Sequence, residues 1–203
     1  MVIGGGVAGQ RAAEVAVGMG AETYVYDRSS DRLRELAGLL NGRASTRFAS
    51  TLAIEEQLPH VDLVIGAVLI RGAKSPRVLT REHLTLMRPG TVLVDVSIDQ
   101  GGCFETSRAT THADPTYELN GVIHYCMTNV PGAVPISSTY ALTNATLPYV
   151  ARLAERGVRA LLDAPGFLAG LNVCAGQVTS VPVAEAQGLS SVHRERSWTA
   201  LIP

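Results

Sequence analysis

Short, wholly apolar runs alternate along the chain with segments whose apolar residues recur every three to four positions, which predicts strands and helices in turn. Met1-Val2-Ile3 is an apolar stub that stops at a glycine cluster, and Val7 to Met19 has helical spacing that ends at the C-cap signal Gly18 to Gly20. Glu22 to Asp27 predicts a second strand, and a helix through Leu39 follows, capped by Ser29 or Ser30. Ser45 to Ala49 is a short strand. Leu52 to Leu58 is a helix capped by Ser50 or Thr51 and stopped by Pro59. Val61 to Ala67 and Thr91 to Ser97 are almost wholly apolar, as buried parallel strands are. Thr80 to Met87 predicts a short helix between them, with Thr80 as a possible cap, and Gly121 to Met127 predicts a sixth strand. Such alternation implies an α/β fold with a doubly wound parallel sheet. After Pro135 the pattern changes. Ser138 to Leu161 reads as one long amphipathic helix interrupted by Pro148 and Gly157, Val173 to Ser180 as a hairpin around Ala175-Gly176, and Pro182 to Gly188 as a short helix. The expected division is a sheet domain over 1–135 and, over 136–203, a connecting helix with part of a second domain; from Ser190 no usable period remains.

The glycines give the first strand a chemical meaning. Gly4, Gly6 and Gly9 occupy the three glycine places of the dinucleotide fingerprint, where a tight turn, close approach of a pyrophosphate and close helix packing are each needed. The helix that follows directs free N–H groups and its positive end at that pyrophosphate. Asp27 closes the second strand eighteen residues after Gly9, where a carboxylate accepts both ribose hydroxyls of an adenosine and repels a 2′-phosphate. The sheet is therefore expected to be Rossmann-type and to prefer NAD to NADP, although Arg28 beside Asp27 pulls the other way. The first strand is expected to be central, yet only three residues precede the glycines, which favours a start inside a strand that has been cut.

Composition narrows the partner. With 46% hydrophobic and 17% charged residues the chain is a globular protein, and its 17 basic against 18 acidic residues give a net charge of −1, which recommends neither nucleic acid nor an anionic membrane. No apolar run is long enough to span a bilayer. Cys103, Cys126 and Cys174 are widely spaced and odd in number, as buried thiols in a reducing, cytoplasmic compartment would be. The five histidines show no ligand spacing, so no metal is expected. A small molecule is the expected partner.

Asp99 is the first candidate for chemistry, because it lies just past the fifth strand in a loop loosened by Gly101 and Gly102; the alternative is a turn residue bonded to backbone N–H groups. Glu105 is expected to be solvated. Arg108 can reach an anionic cofactor group from the same loop, or stand in solvent. His124, within a strand, is expected to be a packed residue rather than a catalyst, and His60, His83 and His193 to lie at the surface or at helix ends. No Gly-x-Ser-x-Gly elbow occurs, the only lysine is Lys74, and no arginine pair is placed to grip a substrate carboxylate.

Several runs resemble the L-alanine dehydrogenase family. They are Ile3-Gly4-Gly5-Gly6-Val7-Ala8-Gly9, Asp62 to Ile70 closed by Gly72-Ala73-Lys74, Val94 to Gly102, Asn129 to Pro135 and Thr139 to Pro148. The resemblance implies the NAD-binding half of an enzyme that interconverts L-alanine with pyruvate and ammonia, as a homo-oligomer. It implies that Gly4, Gly6 and Gly9 hold the pyrophosphate, that Asp27 binds the ribose with Arg32 near it, and that Val68 and Leu69 line the cofactor cleft. It further implies that Val96, Ser97, Ile98 and Asp99 reach the nicotinamide and substrate, that Arg108 contacts the cofactor, and that Met127, Thr128, Asn129 and Val130 flank the nicotinamide. Asp99 would be the catalytic carboxylate of this half, polarising the water or amine that adds to the substrate α-carbon. Val130 stands where the family commonly has methionine, and Ile136 where a basic residue is usual. The family's substrate domain, with its arginine, lysine and histidine, has no counterpart in these residues, so little turnover is expected from the chain alone. The alternatives are a non-catalytic NAD-binding module, or the nucleotide-binding domain of a transhydrogenase or a saccharopine-type dehydrogenase.

Overall fold

The computed structural model describes residues 1–70, 72–163 and 165–193, so most of the unpatterned tail from Ser190 lies outside the described residues. Seven strands form one sheet: β1 (Val2–Ile3), β2 (Thr23–Asp27), β3 (Ala44–Phe48), β4 (Leu63–Gly66), β5 (Val92–Asp95), β6 (Thr116–Leu119) and β7 (Val122–Tyr125). Their spatial order is β3-β2-β1-β4-β5-β7-β6, and every neighbouring pair is parallel except β6 with β7. The expected parallel α/β sheet is thus present, with one antiparallel strand added at an edge. That strand follows from Asn120-Gly121, whose positive φ values of 53° and 77° make a two-residue hairpin turn matched to strand twist.

Period-two alternation assigns the sheet's two faces. Val2 and Val25 point to one side, where Ala13 and Val17 of α1 (Val7–Gly18) and Leu36 of α2 (Ser30–Leu39) cover them. Ile3 and Tyr26 point to the other, against Ile54 of α3 (Thr51–Gln57), Leu58, Leu79 and Phe104. Helices on opposite faces make the sheet doubly wound. Both caps are serines: Ser29 accepts the Arg32 N–H and Ser50 the Ala53 N–H, each at 3.2 Å. β1 is central although it has only two residues. Val2 and Ile3 are each 1% exposed and pair on both sides, and burying each contributes about 1.5–3 kcal/mol. The Met1 amino group, which donates to Leu63 O at 2.9 Å, extends that ladder by one bond.

The segment expected as a helix over Thr80 to Met87 is a 3-10 helix over Glu82–Leu86. No side chain caps it, Thr80 included; instead the ring of His83, inside the helix, reaches back, its Nδ1 taking the Thr80 N–H at 2.8 Å while Nε2 lies 3.1 Å from Glu55 Oε1. His83 thus stands in the last turn of its short helix, one of the two places expected for it, but is buried rather than at the surface.

The β6/β7 hairpin carries a stack. Tyr117 faces His124 across the ladder with ring centroids 4.8 Å apart, and the Arg108 guanidinium lies 4.2 Å from the Tyr117 centroid. The Tyr117 hydroxyl donates to Thr106 O and accepts the Arg108 N–H. His124 is fully buried; its Nδ1 is 3.1 Å from Val122 O and its Nε2 is 2.8 Å from Thr106 Oγ1. A carbonyl only accepts, so Nδ1 carries the proton and Nε2 accepts the hydroxyl, the neutral ring. Burial lowers the pKa of His124, the Val122 carbonyl opposes that shift, and Arg108 adds to it.

Met1–Ile70 with Lys74–Val130 form one compact unit, and the described residues from Pro131 onward, with Gly72 and Ala73, form another. The second unit contains α4 (Pro135–Arg156), a 3-10 turn over Gly157–Leu162, α5 (Pro165–Ala169), the hairpin β8 (Val173–Cys174) with β9 (Gln177–Val178), and α6 (Val181–Gln187). α4 starts three residues earlier than the apolar period indicates, because Pro135 suits a first helical turn, and it stops where Gly157 takes φ 56°.

Two outcomes are expected. A Cβ on Gly9 would stand 1.8 Å from Gly4 O and 3.2 Å from Val2 Cγ1, so Gly9→Ala should destabilise the fold by about 2–3 kcal/mol in urea unfolding. The pKa of His124 is lowered from 6.5, so the unfolded chain takes up that proton first; the stability is complete above about pH 6.5 and declines as pH falls below it. His124→Gln should flatten the fall in melting temperature between about pH 7 and pH 5. Equal slopes for the two proteins would contradict that assignment.

Candidate functional site

Six parallel strands run the same way, so their C-terminal ends share one sheet edge. All of the site residues expected from sequence belong to the first unit, and those that follow β1, β2, β4, β5 and β7 gather at this edge. The chain moves outward from β1 through β2 to β3 and then returns to β4 on the other side of β1, which makes the β1/β4 boundary the topological switch point where such folds bind ligands.

The glycine turn sits on that boundary. Gly4 has φ 101°, donates its N–H to Tyr26 O at 2.8 Å, and lies so near β4 that a Cβ would be 2.6 Å from Ala67 O. Gly9 is held by the still closer approach of α1 to Gly4. Gly6 differs from both. It is exposed, its φ of −63° suits any residue, and a Cβ there would meet nothing within 4 Å. The fold does not require this glycine, and the space above it is open. No described side chain caps α1 at Gly6, and its first turn carries no acid, so its N–H groups and positive end face the same open space.

Asp27 ends β2 next to this turn. Its Oδ2 accepts the Gly5 N–H at 2.7 Å and its Oδ1 the Ser29 N–H at 2.8 Å, which fixes the carboxylate at the mouth of the crevice. Arg32 closes the neighbouring side: Nε donates to Gly5 O at 2.6 Å, Nη2 to Gln10 Oε1 at 2.6 Å, and Nη1 pairs with Glu35 at 2.6 Å. Gln10 and Glu35 were not legible as site residues, because both read as ordinary helix-surface positions.

Across the switch point, the Val68 carbonyl accepts from Ser97 Oγ at 2.8 Å and from Ser75 Oγ at 3.0 Å, which ties the loop after β4 to the loop after β5. Leu69 and Val96 are exposed, whereas Ser97 and Ile98 are buried. Asp99 lies in a 3-10 turn over Ile98–Gln100, exposed, and no described group hydrogen-bonds its carboxylate. The turn-bonding role considered for it belongs to Asp95 instead, which ends β5 and is 1% exposed. Its signal in the sequence is an acid that closes an otherwise apolar strand.

At the far side of the edge, Thr110 pairs with Met127: its N–H donates to Cys126 O at 3.0 Å, and its own carbonyl takes the Thr128 N–H at 3.2 Å. The segment carrying Arg108 therefore runs beside Met127 and Thr128. Met127 is buried, Thr128 half-buried, and Asn129 and Val130 exposed. Glu105 accepts the Arg81 N–H, and Cys103, Cys126 and Cys174 are buried thiols. Burial, with Asp95 beside it, pushes the Cys103 thiol far up, so it stays protonated. Among the described residues no group of three or more His, Cys, Asp or Glu could hold a metal ion, and no helix is long and apolar enough to cross a membrane.

The family model "Alanine dehydrogenase/PNT, C-terminal domain" matches residues 1–181. An alanine dehydrogenase of Halomonas elongata is 56% identical over 193 residues, which are 95% of this chain and 52% of that protein. A solved L-alanine dehydrogenase is 42% identical with a TM-score of 0.81, over 92% of this chain and 52% of that one. A transhydrogenase from Sinorhizobium meliloti is 29% identical with a TM-score of 0.67, over 76% and 44%. The chain spans about half the length of the curated relatives it matches. With a Rossmann-like sheet, the glycine turn at its switch point and a family match over most of its length, the chain belongs to the alanine dehydrogenase/PNT C-terminal domain family.

Proposed function

We propose that this chain binds NAD at the β1/β4 crevice and forms the cofactor half of an L-alanine dehydrogenase, acting with a substrate-binding half on L-alanine or pyruvate, in a homo-oligomer. Gly6 carries the reading: it is a glycine that the fold leaves free, at the open start of a twelve-residue helix, in the middle of the fingerprint. The residues fit the cofactor. The N–H groups at the start of α1 are placed for a pyrophosphate, and Asp27, already held by two backbone N–H groups, offers its remaining lone pairs to ribose hydroxyls. NAD supplies hydride acceptance. Val96 to Asp99 and Met127 to Val130 supply the surroundings of the nicotinamide, with Leu69 and Val68 beside them and Arg108 above the hairpin. Asp99, solvent-facing and not engaged elsewhere, holds or takes a proton at its carboxylate as water or ammonia adds to the substrate α-carbon.

The likeness to a transhydrogenase supports a second reading, in which the same site serves a nucleotide-binding domain of that kind. Greater identity, coverage and structural similarity favour alanine dehydrogenase. Pyruvate amination by the chain joined to a substrate-binding half tests this choice, and absence of amination there would favour the second reading.

For the cofactor site itself, fluorescence titration should show NADH binding at least about tenfold more tightly than NADPH, the margin of one unfavourable charge contact at Asp27. Tighter NADPH binding would overturn the preference. Gly6→Ala should cost less than about 1 kcal/mol of stability, since its Cβ meets nothing, while weakening NADH at least about tenfold. Unchanged NADH affinity in Gly6→Ala would contradict a pyrophosphate at this turn.

A further inference from the structure

Asp95 is an acidic side chain buried four residues before Asp99, and the bonds of its carboxyl group all serve one loop. Oδ1 accepts the Ser97 N–H at 2.9 Å, and the Cys103 thiol lies 3.4 Å from the same oxygen. Oδ2 accepts the Cys103 N–H at 2.8 Å and the Ser107 hydroxyl at 2.5 Å, with the Phe104 N–H at 3.4 Å. One carboxylate thus grips the chain before Asp99, at Ser97, and after it, at Cys103 to Ser107. The return path fits only without a side chain: at Gly102, φ is 77° and a Cβ would stand 2.8 Å from Asp95 Oδ2 and 2.9 Å from Ser107 Cβ. Arg77 braces the outside of the same turn, with Nη1 donating to Gly102 O at 3.1 Å and to Phe104 O at 2.5 Å. Asp99 sits at the apex, exposed, with no bond of its own to fix it.

We infer that Asp95 is a positioning residue, whose buried carboxylate holds Val96 to Asp99 against the nicotinamide end of the cofactor and so sets where Asp99 stands. The inference rests on the NAD reading above. Backbone N–H groups gathered on a carboxylate make strong, directional bonds. The other bonds of the 96–102 stretch are short-range turns within it or ties to the Gly66, Val68 and Ser75 side, so the Asp95 carboxylate is what joins the start of the loop to its return at Cys103 to Ser107.

The test compares NADH with ADP-ribose, which lacks the nicotinamide, on the 203-residue chain and on Asp95→Asn and Ser107→Ala. The unaltered chain should bind NADH more tightly than ADP-ribose. Asp95→Asn should weaken NADH by about tenfold, toward the ADP-ribose value, while ADP-ribose affinity changes less than about twofold; Ser107→Ala should shift the ratio the same way by about threefold. If Asp95→Asn keeps the NADH advantage, or weakens both ligands alike, the positioning role is wrong. If Asp95→Asn loses its circular dichroism spectrum, Ser107→Ala decides, and an unmoved ratio overturns the inference. Equal affinity of the unaltered chain for the two ligands removes the nicotinamide contact and the inference with it, leaving the NAD site standing. Binding of neither ligand refutes the NAD reading itself.

Discussion

Everything at the site depends on backbone meeting backbone at two glycines. Gly4 brings the end of β1 against Ala67 of β4, and Gly9 lets α1 start against Gly4 itself. These contacts leave no room for a methyl group, and they set the angle at which the helix N-terminus meets the sheet edge. Gly6 lies between them and faces open space, so one motif carries two constraints of different origin, packing at its ends and access at its centre.

Three carboxylates at or just beyond strand ends divide the remaining work by burial. Asp27 is half-buried and held by two backbone N–H groups, which leaves part of it free for a ligand. Asp95 is buried and fully engaged, its two oxygens taken up by backbone and hydroxyl donors. Asp99 is exposed and unengaged, the condition in which a carboxylate can respond to a substrate. The same residue type along one sheet edge is thus found in three different settings, and burial and partners set them apart.

Strands and helices of the first half were legible because their signals are local: apolar runs, serine caps and glycine stops recur where the elements begin and end. The site's main features were legible for the same reason, since the fingerprint and Asp27 follow from spacing alone. β6 was not, because Thr116 to Leu119 has no strong apolar alternation and becomes a strand only through pairing with β7 across the Asn120-Gly121 turn. Asp95 was hidden inside what reads as an apolar strand, and its role needs Cys103, Phe104 and Ser107, eight to twelve residues away, to return to it. The burial of His83 was not legible, because a ring nitrogen acting as a backbone acceptor leaves no pattern in sequence. Arg32 was near its expected place, but its partners Gln10 and Glu35 depend on two helices meeting over one turn.

The pairing of β1 with β4 joins residues 63 positions apart, as Val2 opposite Ile65 records, whereas the β6/β7 hairpin closes over two. Loop-closure entropy makes the hairpin quick to form and the β1/β4 seam slow, so the crevice belongs to the late, non-local part of folding. A dinucleotide seated across that seam would touch both sides of it and bind only the closed form. It would then act as a clasp as well as a reactant, and the resistance of this sheet to unfolding would rise with the logarithm of cofactor concentration.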